Sequence, residues 1–84
     1  MNFQNMTNAD VFLSVWDQNR SNKPLVADGV RLNAQATSAV SGLQLDGGNA
    51  ENLQWQVKEV DYPDHGNTGD YRGFATDTIK VWLK

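Results

Sequence analysis

The sequence predicts an all-β protein: an antiparallel β-sandwich, or a small open barrel, of about six or seven short strands spanning residues 1–84 as one domain. Three observations carry this expectation. Apolar residues recur with a period of two rather than 3.6. Clusters of Asp, Asn, Gly, Ser and Pro punctuate the chain at roughly the 8–12-residue spacing of short strands. A length of 84 residues supplies one core and no second one, with a compact surface of roughly 5,000 Å² expected from chain mass.

Taken in order, residues 2–6 suit a short edge strand with Phe3 inward. Residues 10–17 alternate clearly: Val11, Leu13 and Val15 share one face, and Phe12, Ser14 and Trp16 share the other. Residues 24–34 hold Leu25, Val26, Val30 and Leu32, interrupted by Asp28-Gly29, a pair that suits either a tight hairpin turn or a bulge within one long strand. In residues 37–45, Val40 and then Leu43 and Leu45 fall on a shifted register, which points to a bulge at Gly42. Residues 52–60 alternate Leu53, Trp55 and Val57 with Gln54, Gln56 and Lys58. Residues 70–75 lead through a turn near Thr76-Asp77 into the last strand, where Ile79, Val81 and Leu83 face the core. The expected core is Val11, Leu13, Val15, Val30, Leu32, Leu53, Trp55, Val57, Ile79, Val81 and Leu83. Asp17–Lys23 and Asp46-Gly47-Gly48-Asn49 have turn chemistry, and 61–70 is the longest expected loop. The one helix candidate is a turn near Asn33–Ser38.

Seven Lys and Arg against ten Asp and Glu give a net charge of −3. Scattered cations on an acidic chain do not suit a general nucleic-acid binder, which needs clustered Lys and Arg to neutralise phosphates. Apolar runs are too short for membrane insertion. There is no cysteine, hence neither a disulfide nor a thiolate zinc site to reinforce a small core. The opening MNFQNMTNAD has no basic stretch followed by an apolar run, so no signal peptide is visible; the expected location is cytoplasmic or non-classically secreted. Asn5-Met6-Thr7 and Asn19-Arg20-Ser21 match the glycosylation pattern, as chance allows in a chain with nine Asn.

Loop 61–70 is the densest polar feature. Asp61, Asp64, Asn67 and Asp70 lie three apart around His65, and oxygen ligands of this kind suit calcium. The spacing is not that of an EF-hand, and turns recruit the same residues for conformational reasons, so no cofactor is expected and solvated turn is the default reading. An acidic stretch followed by a terminal hydrophobic strand resembles in outline the ending of some small calcium-dependent bacterial lectins. That likeness covers the last quarter of the chain and lacks their dense Asp-Asn ligand pattern. His65, the only histidine, is placed for general-base work beside Asp64 or Asp61, and Glu59 with Asp61 forms an i, i+2 acid pair. No nucleophile motif accompanies them, and no enzyme is expected.

The aromatic residues are more informative. If Leu13 and Val81 face the core, strand periodicity turns Phe12, Trp16 and Trp82 away from it. Outward rings among six Gln and nine Asn suit stacking on sugars or packing on a protein partner. The structural alternatives are a bulge that turns Trp16 inward, or a strand buried on both faces. The leading expectation is therefore a non-enzymatic recognition or adhesion module for a protein or glycan surface. Its site would use Trp16, Trp82 and Phe12, with polar contacts from Asp64, His65, Asn67 and Asp70. Two alternatives are an assembly subunit that self-associates as a homo-oligomer through strand faces or edges, and a small protein inhibitor that presents loop 61–70.

Overall fold

The computed structural model describes residues 1–84 and contains seven strands: β1 (Asn2–Asn5), β2 (Val11–Asp17), β3 (Leu25–Leu32), β4 (Thr37–Ala39), β5 (Glu51–Glu59), β6 (Gly66–Gly73) and β7 (Thr78–Val81). They form two sheets, one ordered β4-β1-β7 and the other β3-β2-β5-β6. The four-stranded sheet is antiparallel throughout, while β1 pairs antiparallel with β4 and parallel with β7. The fold is thus all-β, as the alternation predicts. The accessible surface is 4899 Å². No helix is long and apolar enough to cross a membrane.

Period-two alternation becomes burial directly. Val11, Leu13 and Val15 on β2 and Leu53, Trp55 and Val57 on β5 are buried beneath Phe3, Ile79 and Val81 from the other sheet. Four strands with apolar inner faces cannot leave those faces in water, and covering them with β4-β1-β7 removes both inner faces from solvent. Asp28-Gly29 is a bulge within one strand, not a hairpin turn. The register slips between Leu13↔Val30 and Val15↔Ala27, Gly29 takes φ +60°, and Ser14 Oγ accepts a bond from the Gly29 N–H at 3.0 Å.

Several expected boundaries move. Val30 is 43% exposed rather than core, because β3 and β4 are not paired to each other and the seam beside Val30 stays open. Leu83 is only half-buried. The strand expected over 37–45 reduces to β4 and a single bridge from Leu45 to Glu51. Gly42, at φ +81°, turns the chain so that Val40 and Leu43 are both buried. Residues 33–36 form a turn closed by the Ala36 N–H on the Asn33 carbonyl at 3.0 Å, not a helix. The loop expected over 61–70 ends at His65, since 66–70 belong to β6.

Without cysteines, buried polar side chains pin the loops. Asn5 is fully buried; its Nδ2 donates to the carbonyls of Ala9, Leu32 and Asn33, and its Oδ1 accepts from Thr7. Those bonds leave no room for a glycan at the Asn5 sequence pattern. Asn19 likewise spends its Nδ2 on the carbonyls of Gln44 and Ala50. Asp17 ends β2 fully buried and accepts from Arg20 Nε at 2.9 Å, from the Gln44 N–H at 2.8 Å and from the Asn19 N–H at 3.1 Å. One carboxylate thereby ties two loops to a strand end, since a buried charge must be fully hydrogen-bonded to be tolerated.

Asp46 organises the turn at 46–49. Arg72 reaches it with both Nε and Nη2, at 2.7 and 3.2 Å, and the N–H groups of Gly48 and Ala50 bond its Oδ1. The Arg72 bond first, and then the two backbone bonds, hold its carboxyl at about 2, below the ordinary 3.8. A carboxylate whose folded pKa is depressed stabilises the fold above its unfolded pKa and loses that contribution as pH falls through the folded value. Thermal melting temperatures should therefore drop more steeply between pH 4 and pH 2 (about the unfolded and folded values) for the natural chain than for Asp46→Asn, which lacks the contribution at every pH.

Candidate functional site

The sandwich is not closed into a barrel. β6 is the free edge of one sheet and β7 the free edge of the other, and the two are not paired. They meet only at the ends of a slit. At one end the Lys84 N–H approaches the Gly66 carbonyl at 3.4 Å. At the other the Tyr71 hydroxyl donates to Asp77 Oδ2 at 3.0 Å, where Asp77 also caps the Phe74 N–H. That carboxylate raises the pKa of the Tyr71 phenol. Between these contacts lie four residues of β6, 67–70, and the strand from Gly66 to Tyr71 runs roughly 16 Å.

Ladder alternation determines what faces the opening. The Glu59 N–H bonds the His65 carbonyl, so Asn67, Gly69 and Tyr71 bond β5, while Thr68, Asp70 and Arg72 turn N–H and C=O to the free edge. On β7, Asp77 and Val81 bond β1, which leaves the backbone groups of Thr78, Lys80 and Trp82 outward. The Thr68 N–H is taken by Asn67 Oδ1 at 2.9 Å. The remaining groups form a slit with two rows of uncommitted backbone polar atoms.

The slit has a volume of about 560 Å³, within the size range of small-ligand sites. Its floor is Trp55, which is 4% exposed. The indole lies over Gly69, its partner across the β5–β6 ladder; a Cβ at position 69 would sit 2.7 Å from Trp55 Cζ2 and 2.8 Å from its Nε1. A glycine here is thus required by a neighbouring ring, a packing often seen where an aromatic covers a bare strand position. Trp82, 53% exposed, stands against Trp55 edge to face, with ring centroids 5.9 Å apart and planes at 62°. Asn67, only 9% exposed, and Lys80 and Lys84 also line the slit.

The expected site residues divide among three places. Trp82, Asn67 and Asp70 line the slit together. Phe12 and Trp16 lie on the outer face of the four-stranded sheet with Leu25, around a shallow hollow bordered by Gln56 and Lys58. Phe12 is exposed there as periodicity predicts, whereas Trp16 is half-buried. Asp64 and His65 occupy the loop between β5 and β6. His65 stacks on Tyr62 and places Nδ1 3.7 Å from Glu59 Oε1, so its nearest acid is Glu59 and not Asp61 or Asp64. The oxygen-bearing side chains of Asp61, Asp64, Asn67 and Asp70 do not form one set. No three acidic or histidine side chains are gathered as metal ligands, and Asn67 and Asp70 point to opposite sides of β6. Strand periodicity marks Trp55 as core and carries no sign that it floors a slit. The signal for the floor is the pairing of a bulky aromatic strand with the glycine-rich run 66–73.

The cations also separate. Each Arg is committed: Arg20 to Asp17, Arg31 to Asp10 and Arg72 to Asp46. None of the four Lys takes part in an ion pair. Comparison with protein-family models, with curated proteins and with solved structures finds no match.

The packing of Trp55 on Gly69 is directly testable. Gly69→Ala should lower stability by about 1–3 kcal/mol, the usual cost of overpacking, read from the urea unfolding midpoint. Gly47→Ala, with nothing within 4 Å of the new Cβ, should leave the midpoint unchanged.

Proposed function

We propose that this protein is a non-enzymatic recognition module that binds a saccharide in the slit between β6 and β7. The observation that carries the reading is Trp82. A large exposed ring is braced by an edge-to-face contact with a buried ring, at the mouth of a slit whose outward backbone groups are largely uncommitted. Sugars present apolar C–H faces and rings of hydroxyls. A braced indole suits the first, and amide, hydroxyl and backbone groups that donate and accept suit the second. Bracing matters because a ring already fixed in place loses little conformational freedom when a ligand covers it.

A second reading rests on the outer face of the four-stranded sheet. Phe12 and Leu25 are exposed there beside the half-buried Trp16, and such a patch suits self-association of two copies face to face. The inhibitor reading is weaker, since half of its presenting loop lies in the β5–β6 ladder.

A glycan array probed with the natural chain and with Trp82→Ala, in calcium and in chelator, tests the leading reading. Binding to a restricted set of glycans is expected, independent of calcium, falling about tenfold or more with Trp82→Ala. That factor corresponds to about 1.4 kcal/mol of lost ring contact. Phe12→Ala should bind as the natural chain does. A blank array, or signals that survive Trp82→Ala, would overturn the reading.

A further inference from the structure

The floor of the slit carries donors that the fold does not use. Beyond its backbone bonds in the β5–β6 ladder, Trp55 makes one further hydrogen bond, its carbonyl accepting from Thr68 Oγ1; its Nε1–H donates to nothing. Asn67 spends Oδ1 on the Thr68 N–H, and its Nδ2 likewise has no partner. Both side chains are at least nine-tenths buried. Yet the only fully enclosed side-chain polar atom without a hydrogen bond is Glu51 Oε1. The nitrogens of Trp55 and Asn67 therefore reach solvent, and the opening that both line is the slit.

Buried donors are ordinarily paired, and each one left open is a place where a ligand's acceptor gains most. Lys80 and Lys84 line the same slit, and neither has an acidic partner. Asp70 is the one side-chain carboxylate in the lining, exposed on the outward side of β6 as Lys80 is on β7. At the exposed rim two ammonium groups stand against one side-chain carboxylate, and the two open buried donors beneath are both nitrogens. Groups that only accept, and that carry negative charge, satisfy such a set most fully.

Resting on the saccharide reading above, we infer that the saccharide carries an anionic substituent, a carboxylate or a sulfate, received by Trp55 Nε1–H, Asn67 Nδ2 and the ammonium groups of Lys80 and Lys84. The overall charge of −3 repels polyanions at long range, so selection for the anion is local to the slit. Binding should weaken only moderately with salt, since few charges are neutralised.

The test titrates the protein with a uronic-acid oligosaccharide and with its methyl ester, and in parallel with a sulfated oligosaccharide and its desulfated form. Calorimetry gives affinity, and nitrogen–proton correlation spectra resolve the three indole N–H signals. At least one charged form should bind about tenfold or more tighter than its neutral counterpart, the factor expected for one charge-assisted hydrogen bond. It should also shift the Trp55 indole signal. Whichever pair shows the preference identifies carboxylate or sulfate. Lys80→Gln combined with Lys84→Gln should erase the preference while leaving the unfolding midpoint in place. Equal affinity for charged and neutral forms, with Trp82→Ala still abolishing binding, would overturn the anion and leave the saccharide reading intact. A shift confined to Trp82 would overturn the donor assignment. Failure of every oligosaccharide, charged and neutral, to bind would overturn both readings.

Discussion

The indole of Trp55 lying over Gly69 is the contact on which the rest of the molecule depends. It fills the interior that a side chain at position 69 would otherwise have to fill, and so completes the core at the edge of the four-stranded sheet. It also sits where β6 and β7 would have to approach to close the sandwich, and the two strands remain unpaired beside it. The same ring supports Trp82 and turns its own N–H to the slit. Core packing, an open seam and the brace of Trp82 thus rest on one side chain and one missing one.

An 84-residue chain without disulfides has little apolar area to spare, and it compensates with polar pins at the ends of the sandwich. Asn5, Asp17 and Asp46 each gather three or more hydrogen bonds from chain segments far apart in sequence. Each fixes a loop that has no core of its own. Two of the three Arg serve these pins, Arg20 spanning the Asp17 carboxylate and the Gly42 carbonyl and Arg72 gripping Asp46 twice, while Arg31 pairs with Asp10. Lysines are spared it, and two of the four stand at the slit. The distribution of the two cations separates the ion-paired residues that hold the fold from those left unpaired at its surface.

Much of this was legible in the sequence. Alternation placed Val11, Leu13, Val15, Leu53, Val57, Ile79 and Val81 correctly, since residues on one strand face share a fate whatever the strand order. It also gave Phe12 and Trp82 as exposed rings. It could not show that Trp82 shares a site with Trp55 rather than with Trp16, because that depends on which strands lie beside one another. Residues 66–73 have weak strand propensity and resemble a loop; they form β6 because β5 supplies a full ladder and Trp55 needs a bare backbone opposite it. Val30 was misplaced because period two carries no information about an unclosed seam. Asn5 and Asp17 were invisible as buried residues, since their partners are carbonyls and amides of distant loops.

Amide hydrogen exchange along β6 and β7 tests the open slit most directly. If the seam is unpaired, protection alternates: Gly69, Tyr71, Ile79 and Val81, bonded within their sheets, exchange slowly, while Asp70, Lys80 and Trp82, whose N–H groups face the slit, exchange with little protection. Uniform protection along both strands would mean that β6 and β7 pair and the sandwich closes, and would contradict the account.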